Sequence, residues 1–301
     1  MNAHLLALYV AAVFLAMIAP GPDMLFILAT GTRGGPRAGL LATLGVVTSD
    51  HGCAGRAAGA GTVGMRDEAE GRGDRSPGAV LLDDLQAGLS RDDIARYLAE
   101  FGAVAGSDSS SRKLAEATGG HVDLAIEAHR IAVITWLRAW GCRHLRRADT
   151  ARTSDALRTW WNDWGARLSG EHDTLTGLGE AELVLAGQAY DALRAAPAAR
   201  RTVRGHELDV AFGDTATAKL LFALRPQVFP PWDEAIRLAF GRPGGGAAYV
   251  RMLRLSAAAL GGLARRLAVP VGDLPEVLGR PGSSPPKLVD EYLLIRITKG
   301  R

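Results

Sequence analysis

The chain has 301 residues, a formal charge of +3 and 48% apolar residues. That length allows two ordinary domains. The apolar content suits a globular protein and is too low for a membrane protein of several spans, and so small a net charge gives little ground for a nucleic-acid partner. The two cysteines, Cys53 and Cys142, lie in unrelated contexts, so no disulfide framework, zinc site or other metal or cofactor site is expected.

Leu5 to Ala19 carries no charge. Pro20-Gly21-Pro22-Asp23 interrupts it, and Met24 to Ala29 resumes the apolar run. Apolar character on every side predicts a helix surrounded by lipid or protein. The combined span is about the twenty residues that cross a bilayer. A cleavable signal peptide is the weaker reading, because no basic segment precedes the run. Arg33 and Arg37 favour placing the following end in the cytoplasm, at an inner (plasma) membrane. Gly39 to Thr48 is apolar again, but about ten residues cannot span.

The motif Pro20, Gly21, Pro22 and Asp23, followed by Arg33-Gly34-Gly35, Arg37-Ala38-Gly39-Leu40 and Leu44-Gly45-Val46, resembles the opening of the LysE/RhtB amino-acid exporters. The resemblance covers residues 1 to about 50. It implies membrane helices and ion-driven export of amino acids, with an amino-acid substrate only if transport survives. Here it stops at Ser49-Asp50-His51. A transport pathway needs several helices, so a truncated segment that does not transport is expected.

Residues 51–78 hold almost no large apolar residue and show no periodicity. They predict a disordered join, read either as a flexible linker or as out-of-frame translation of GC-rich DNA. Residues 79–301 predict a mostly α-helical globular domain. Ser90 with Asp93 starts a helix through Phe101, and Gly106 to Ser111 reads as a polar loop. His121 to Leu145 reads as one long helix, and Ser154 as the cap of a helix carrying Trp160, Trp161 and Trp164. Gly179 to Ala196 forms another, stopped by Pro197. Asp214 or Thr215 starts a helix to Leu224, Trp232 to Phe240 forms the next, and Gly244-Gly245-Gly246 reads as a hinge before Ala247 to Leu267. Pro285-Pro286 opens a last helix through Ile297. Val203 to Phe212 is the best strand candidate.

Candidate chemistry is sparse. Gly34-Gly35 and Gly244-Gly246 lack the Lys-Ser/Thr of a phosphate loop. Glu127-Ala128-His129 lacks a second His for zinc, so His129 reads as a surface or capping group. The tryptophans at 160, 161 and 164 read as one buried helix face rather than a stacking platform. The densest stretch runs from Lys219 through Pro230-Pro231-Trp232 to Asp233. It resembles the Lys-to-Asp region of helix-hairpin-helix DNA glycosylases, which implies that Lys219 or Asp233 attacks a sugar carbon in a nucleic acid. The Gly-rich turn of that hairpin is absent. The alternative reading makes Asp233 a helix cap.

Overall fold

The computed structural model describes residues 76–105, 109–145, 149–168, 170, 173–203, 206–242 and 244–299. The expected membrane helix at 5–30, the motif at Pro20 to Asp23, Cys53 and the join up to residue 75 lie outside the described residues. Within them the architecture is mostly helical, as expected. Among the described residues no helix is long and apolar enough to cross a membrane.

Helix α1 (Pro77–Asp83) begins on Ser76, whose hydroxyl accepts from the Ala79 N–H at 3.3 Å, with Pro77 at the first helical position. This start lies two residues before the expected end of the join. The chain continues through a wide turn closed by the Leu89 N–H on the Asp84 carbonyl. Helix α2 (Arg91–Ala105) has the anticipated cap: Asp93 N–H donates to Ser90 Oγ and the Ser90 hydroxyl donates to the Asp93 carboxylate, at 3.1 and 2.7 Å. Helix α3 (Ser109–Thr118) begins inside the stretch read as loop, Gly106 to Ser111, and runs on through residues given no element.

The long helix expected over 121–145 is shorter. Helix α4 spans Glu127–Ala139 and ends where Gly141 takes a φ of 84°. A side chain is strained there, so the helix stops and Cys142 N–H turns back to the Leu137 carbonyl at 3.0 Å. Helix α5 (Thr150–Trp164) is capped by Asp149, not Ser154. Ser154 is buried one turn inside, where its hydroxyl accepts from Arg130 Nε at 2.8 Å. Nη1 of that buried guanidinium donates to the carbonyls of Leu124 and Ala125, so a charge in the core is met by three acceptors.

Helix α6 (Glu180–Ala195) ends at a hairpin, β1 (Pro197–Val203) with antiparallel β2 (His206–Ala211), in which Arg200 stands opposite Asp209. β2 lies within the expected strand. β1 was not expected, because its Ala- and Arg-rich sequence shows no alternation. Helix α7 (Gly213–Leu224) is followed by α8 (Glu234–Ala239), α9 (Gly246–Leu267), α10 (Leu274–Val277) and α11 (Pro285–Lys299).

The glycine run before α9 is no hinge. Gly245 N–H donates to Asp214 Oδ1 and Gly246 N–H to Asp191 Oδ1, at 2.9 and 2.8 Å. Carboxylates thus take the unpaired donors at the positive end of the helix. Gly246 lies so close to Gly187 of α6 that a Cβ on it would sit 2.0 Å from the Gly187 carbonyl oxygen. That approach stacks Tyr190 on Tyr249 at 4.4 Å, and Phe229 and Trp232 pack beside Tyr249 in the core.

Candidate functional site

Helix α7 is buried along Ala216 to Leu221, and Lys219 projects from its middle. An isolated ammonium there would be costly, and two groups meet it. The first is the carbonyl of Trp140 at 2.6 Å. Trp140 terminates α4, so this carbonyl is one that the helix leaves without an internal partner, at the negative end of the helix dipole. The second is Asp233 Oδ1 at 2.7 Å.

Asp233 reaches Lys219 because the chain reverses between α7 and α8. Val228 and Phe229 N–H groups close on the Arg225 carbonyl, and Pro230 and Pro231 are buried. Asp233 then opens α8 in an extended conformation with its carbonyl accepting from the Arg237 N–H. Its side chain makes no cap hydrogen bond and turns to Lys219 instead. Capping therefore does not explain this aspartate. The Lys219 side chain is 7% exposed and that of Asp233 36%. Burial alone would push the Lys219 ammonium down. Asp233, the Cys142 sulfur and Asp290 outweigh it and hold the group above its ordinary range. A lysine kept protonated has no lone pair with which to attack carbon, so the reachable group of the pair is Asp233.

A second pair adjoins the first. Lys287 of α11 is paired with the buried Asp290 one turn on. The Lys287 ammonium lies 4.9 Å from the Trp140 ring centre, 5.2 Å from Phe101 and 5.9 Å from Phe222. Lys219 Nζ is 5.7 Å from the same Trp140 ring. Burial raises the Asp290 carboxyl, and Lys287 only partly offsets it. Beyond it, Arg280 binds Glu291 through both guanidinium arms at 2.8 and 2.9 Å. Burial likewise pushes the Cys142 thiol up to about 11.

Compared with known protein families, curated proteins and solved structures, the chain matches none.

The site thus stands on its own geometry. Lys219 and Asp233, picked out in the sequence, are brought together. Lys287, Asp290, Trp140 and Cys142 were not picked out. They come from two places far apart in the chain, the end of α4 and the start of α11, and only the three-residue spacing of Lys287 and Asp290 was visible in the chain. The motif residues Pro20, Gly21, Pro22 and Asp23 lie outside the described residues. Trp160 is core, donating to the Ala189 carbonyl at 3.0 Å, while Trp161 and Trp164 are half-buried, and Arg167 lies over Trp164 at 4.5 Å. His129 accepts the Asp123 N–H through Nδ1 at 3.1 Å. Among the described residues no group of His, Cys, Asp and Glu is placed to hold a metal ion. Around Asp233, charges of both signs interleave: Lys219, Lys287, Arg237 and Arg242 are each paired with Asp233, Asp290, Asp214 or Glu234.

Proposed function

We propose that the chain is a membrane-tethered binding module. Residues 5–30 hold it at the inner membrane, and the helical unit takes a small charged ligand beside Trp140. The observation that carries the second half is the meeting of two ammonium groups and two aspartates at one half-buried indole. Such a cluster is costly to hold dry and positions charges for a partner. The tether rests on the uncharged run and on the resemblance of residues 1 to about 50 to the LysE/RhtB exporters, with Arg33 and Arg37 favouring a cytoplasmic helical unit. One span offers no pathway, so overproduction should leave amino-acid efflux at the vector level. Two measurements test the reading. The full chain should resist carbonate extraction from membranes, and deletion of residues 1–50 should release it. A thermal-shift screen of charged metabolites, amino acids included, should raise Tm in the wild type and not in Trp140→Ala. Extraction by carbonate sinks the tether, and a shift that survives Trp140→Ala sinks the binding site.

A second reading has one observation in its favour. Asp233 opens a helix after a Pro-rich turn, beside Lys219, as the glycosylase-like resemblance implies. Chemistry on a nucleic acid would then run through Asp233. The interleaved charges around it weigh against a phosphate backbone as partner. Release of base or strand from a modified duplex, lost in Asp233→Asn with the melt unchanged, would establish this reading.

A further inference from the structure

Three aromatic rings from three helices surround the Lys287 ammonium: Phe101 of α2, Trp140 at the end of α4 and Phe222 of α7. Trp140 and Phe222 lie nearly parallel, with ring centres 5.7 Å apart and planes 20° apart, and Trp136 backs Trp140 at 4.3 Å. All three facing rings are half-buried, and the Lys287 side chain among them is 15% exposed, so solvent reaches the group. The buried Asp290 carboxylate lies beside it. All three centroid distances fall within the ~6 Å over which a ring face attracts a cation.

Lys287 matches these ring faces poorly for one physical reason. A primary ammonium has three N–H donors. Asp290 takes one, and the Nζ otherwise lies against the faces of three rings, which accept hydrogen bonds weakly. A methylated ammonium keeps the ion pair with Asp290 and turns weakly hydrated alkyl surface, rather than N–H donors, to the ring faces.

We propose that Phe101, Trp140, Phe222 and Asp290 form a binding site for an organic ammonium ligand, quaternary or methylated, and that Lys287 occupies it in the free protein as an internal stand-in. The inference rests on the binding reading above and names its ligand class. The ligand's charge replaces that of Lys287 beside Asp290, and its alkyl surface replaces water against the rings. Lys287 then swings outward on its flexible stem toward solvent. Because the internal cation must be displaced first, the free protein binds more weakly than a protein without it.

Isothermal titration of the full-length chain with choline and with tetramethylammonium tests this. Lys287→Ala should bind either compound at least about tenfold more tightly than the wild type. Adding Trp140→Ala should abolish the gain, and ammonium chloride should bind no better than sodium chloride. Lys287→Gln, which keeps the length of the stem, serves if Lys287→Ala does not fold. In the wild type, saturation-transfer NMR should connect aromatic protons to the tetramethylammonium methyls, and Phe101→Leu should weaken the transfer. Equal affinity in wild type and folded Lys287 variants overturns the proposal, and so does absence of transfer in the wild type. If a ligand without an ammonium group gives a Trp140-dependent thermal shift while choline does not bind, the ligand class fails and the binding site stands.

Discussion

The Lys219 ammonium stands 2.7 Å from Asp233, and the two sides of the pair differ in burial: 7% of the lysine side chain is exposed against 36% of the aspartate. Removing the carboxylate strands a cation in the core, whereas removing the lysine leaves an anion that water can reach. Asp233→Ala should therefore cost about 2–3 kcal/mol, after allowance for its exposure, which exceeds the roughly 1 kcal/mol of a lost cap. Lys219→Met should cost about 1 kcal/mol or less, because a well-packed apolar chain replaces a buried charge. Urea unfolding of both variants measures the asymmetry. Equal costs would contradict it.

Alkaline pH should unfold the protein early. Asp233 and its neighbours hold Lys219 above its ordinary 10.5 despite its burial, and burial holds the Tyr190, Tyr249 and Tyr292 hydroxyls above their ordinary 10.0. In each case the folded state keeps a proton that the unfolded chain releases. The stabilisation is full below pH 10 and is lost as pH rises past it. Urea midpoints should be flat with respect to these four groups from pH 7 to about 10 and fall beyond. Lys219→Met should fall less steeply.

Gly246→Ala should be among the most damaging single-methyl changes. Its Cβ would meet the Gly187 carbonyl oxygen at 2.0 Å and Asp191 Oδ2 at 2.6 Å. Backbone cannot swing aside as a flexible side chain can, so α6 and α9 must separate. A cost of about 2–3 kcal/mol is expected. Gly272→Ala, which meets nothing within 4 Å, serves as the control, and the two Tm values decide the matter.

Cys142 should be unreactive in the folded protein. It is buried, and its thiol is pushed up to about 11, so thiolate is scarce at pH 8. In a Cys53→Ser background, a thiol reagent should label negligibly without denaturant and once per chain in it. Rapid labelling of the folded chain would show that the core around Lys219 opens.

Helices α2, α6, α9 and α11 were legible because each carries a periodic apolar face and a local stop or start, such as Ser90 with Asp93, Pro197 after α6 and Pro285-Pro286 opening α11, whereas the short α1, α3 and α10 were not read as helices. Errors fell where tertiary contacts overrode local signals. Ser154 has the chemistry of a cap, yet Arg130 holds it inside α5 and Asp149 caps instead. Gly244-Gly245-Gly246 has the composition of a hinge, but the Gly187 backbone and two aspartates fix it. The strand β1 is defined by its partner and by the Thr153 hydroxyl on the Ala198 carbonyl rather than by its own residues. Of the site, Lys219 and Asp233 could be named because one Pro-rich turn joins them. Phe101, Trp140, Phe222 and Lys287 could not, since nothing along the chain links four positions on four elements.

Helix α11 closes against α1 and α2. Arg296 reaches Asp84 and the Tyr97 hydroxyl, Tyr292 meets Tyr97 edge to face at 5.9 Å, and Lys287 lies over Phe101. Helix α1 and the turn after it also meet α9, where Arg266 donates to the Leu85 carbonyl, but α2 finds its main partner only when the last helix has been made. At ribosomal rates of about 5–20 residues per second, α2 waits about 10–40 s for α11, with Tyr97 and Phe101 lacking the side chains that later cover them. Nascent chains arrested before residue 285 should therefore be held by chaperones or cut by proteases, whereas chains arrested with α11 clear of the exit tunnel should be protected. The order of synthesis makes the C-terminal helix the step that commits the unit to its fold.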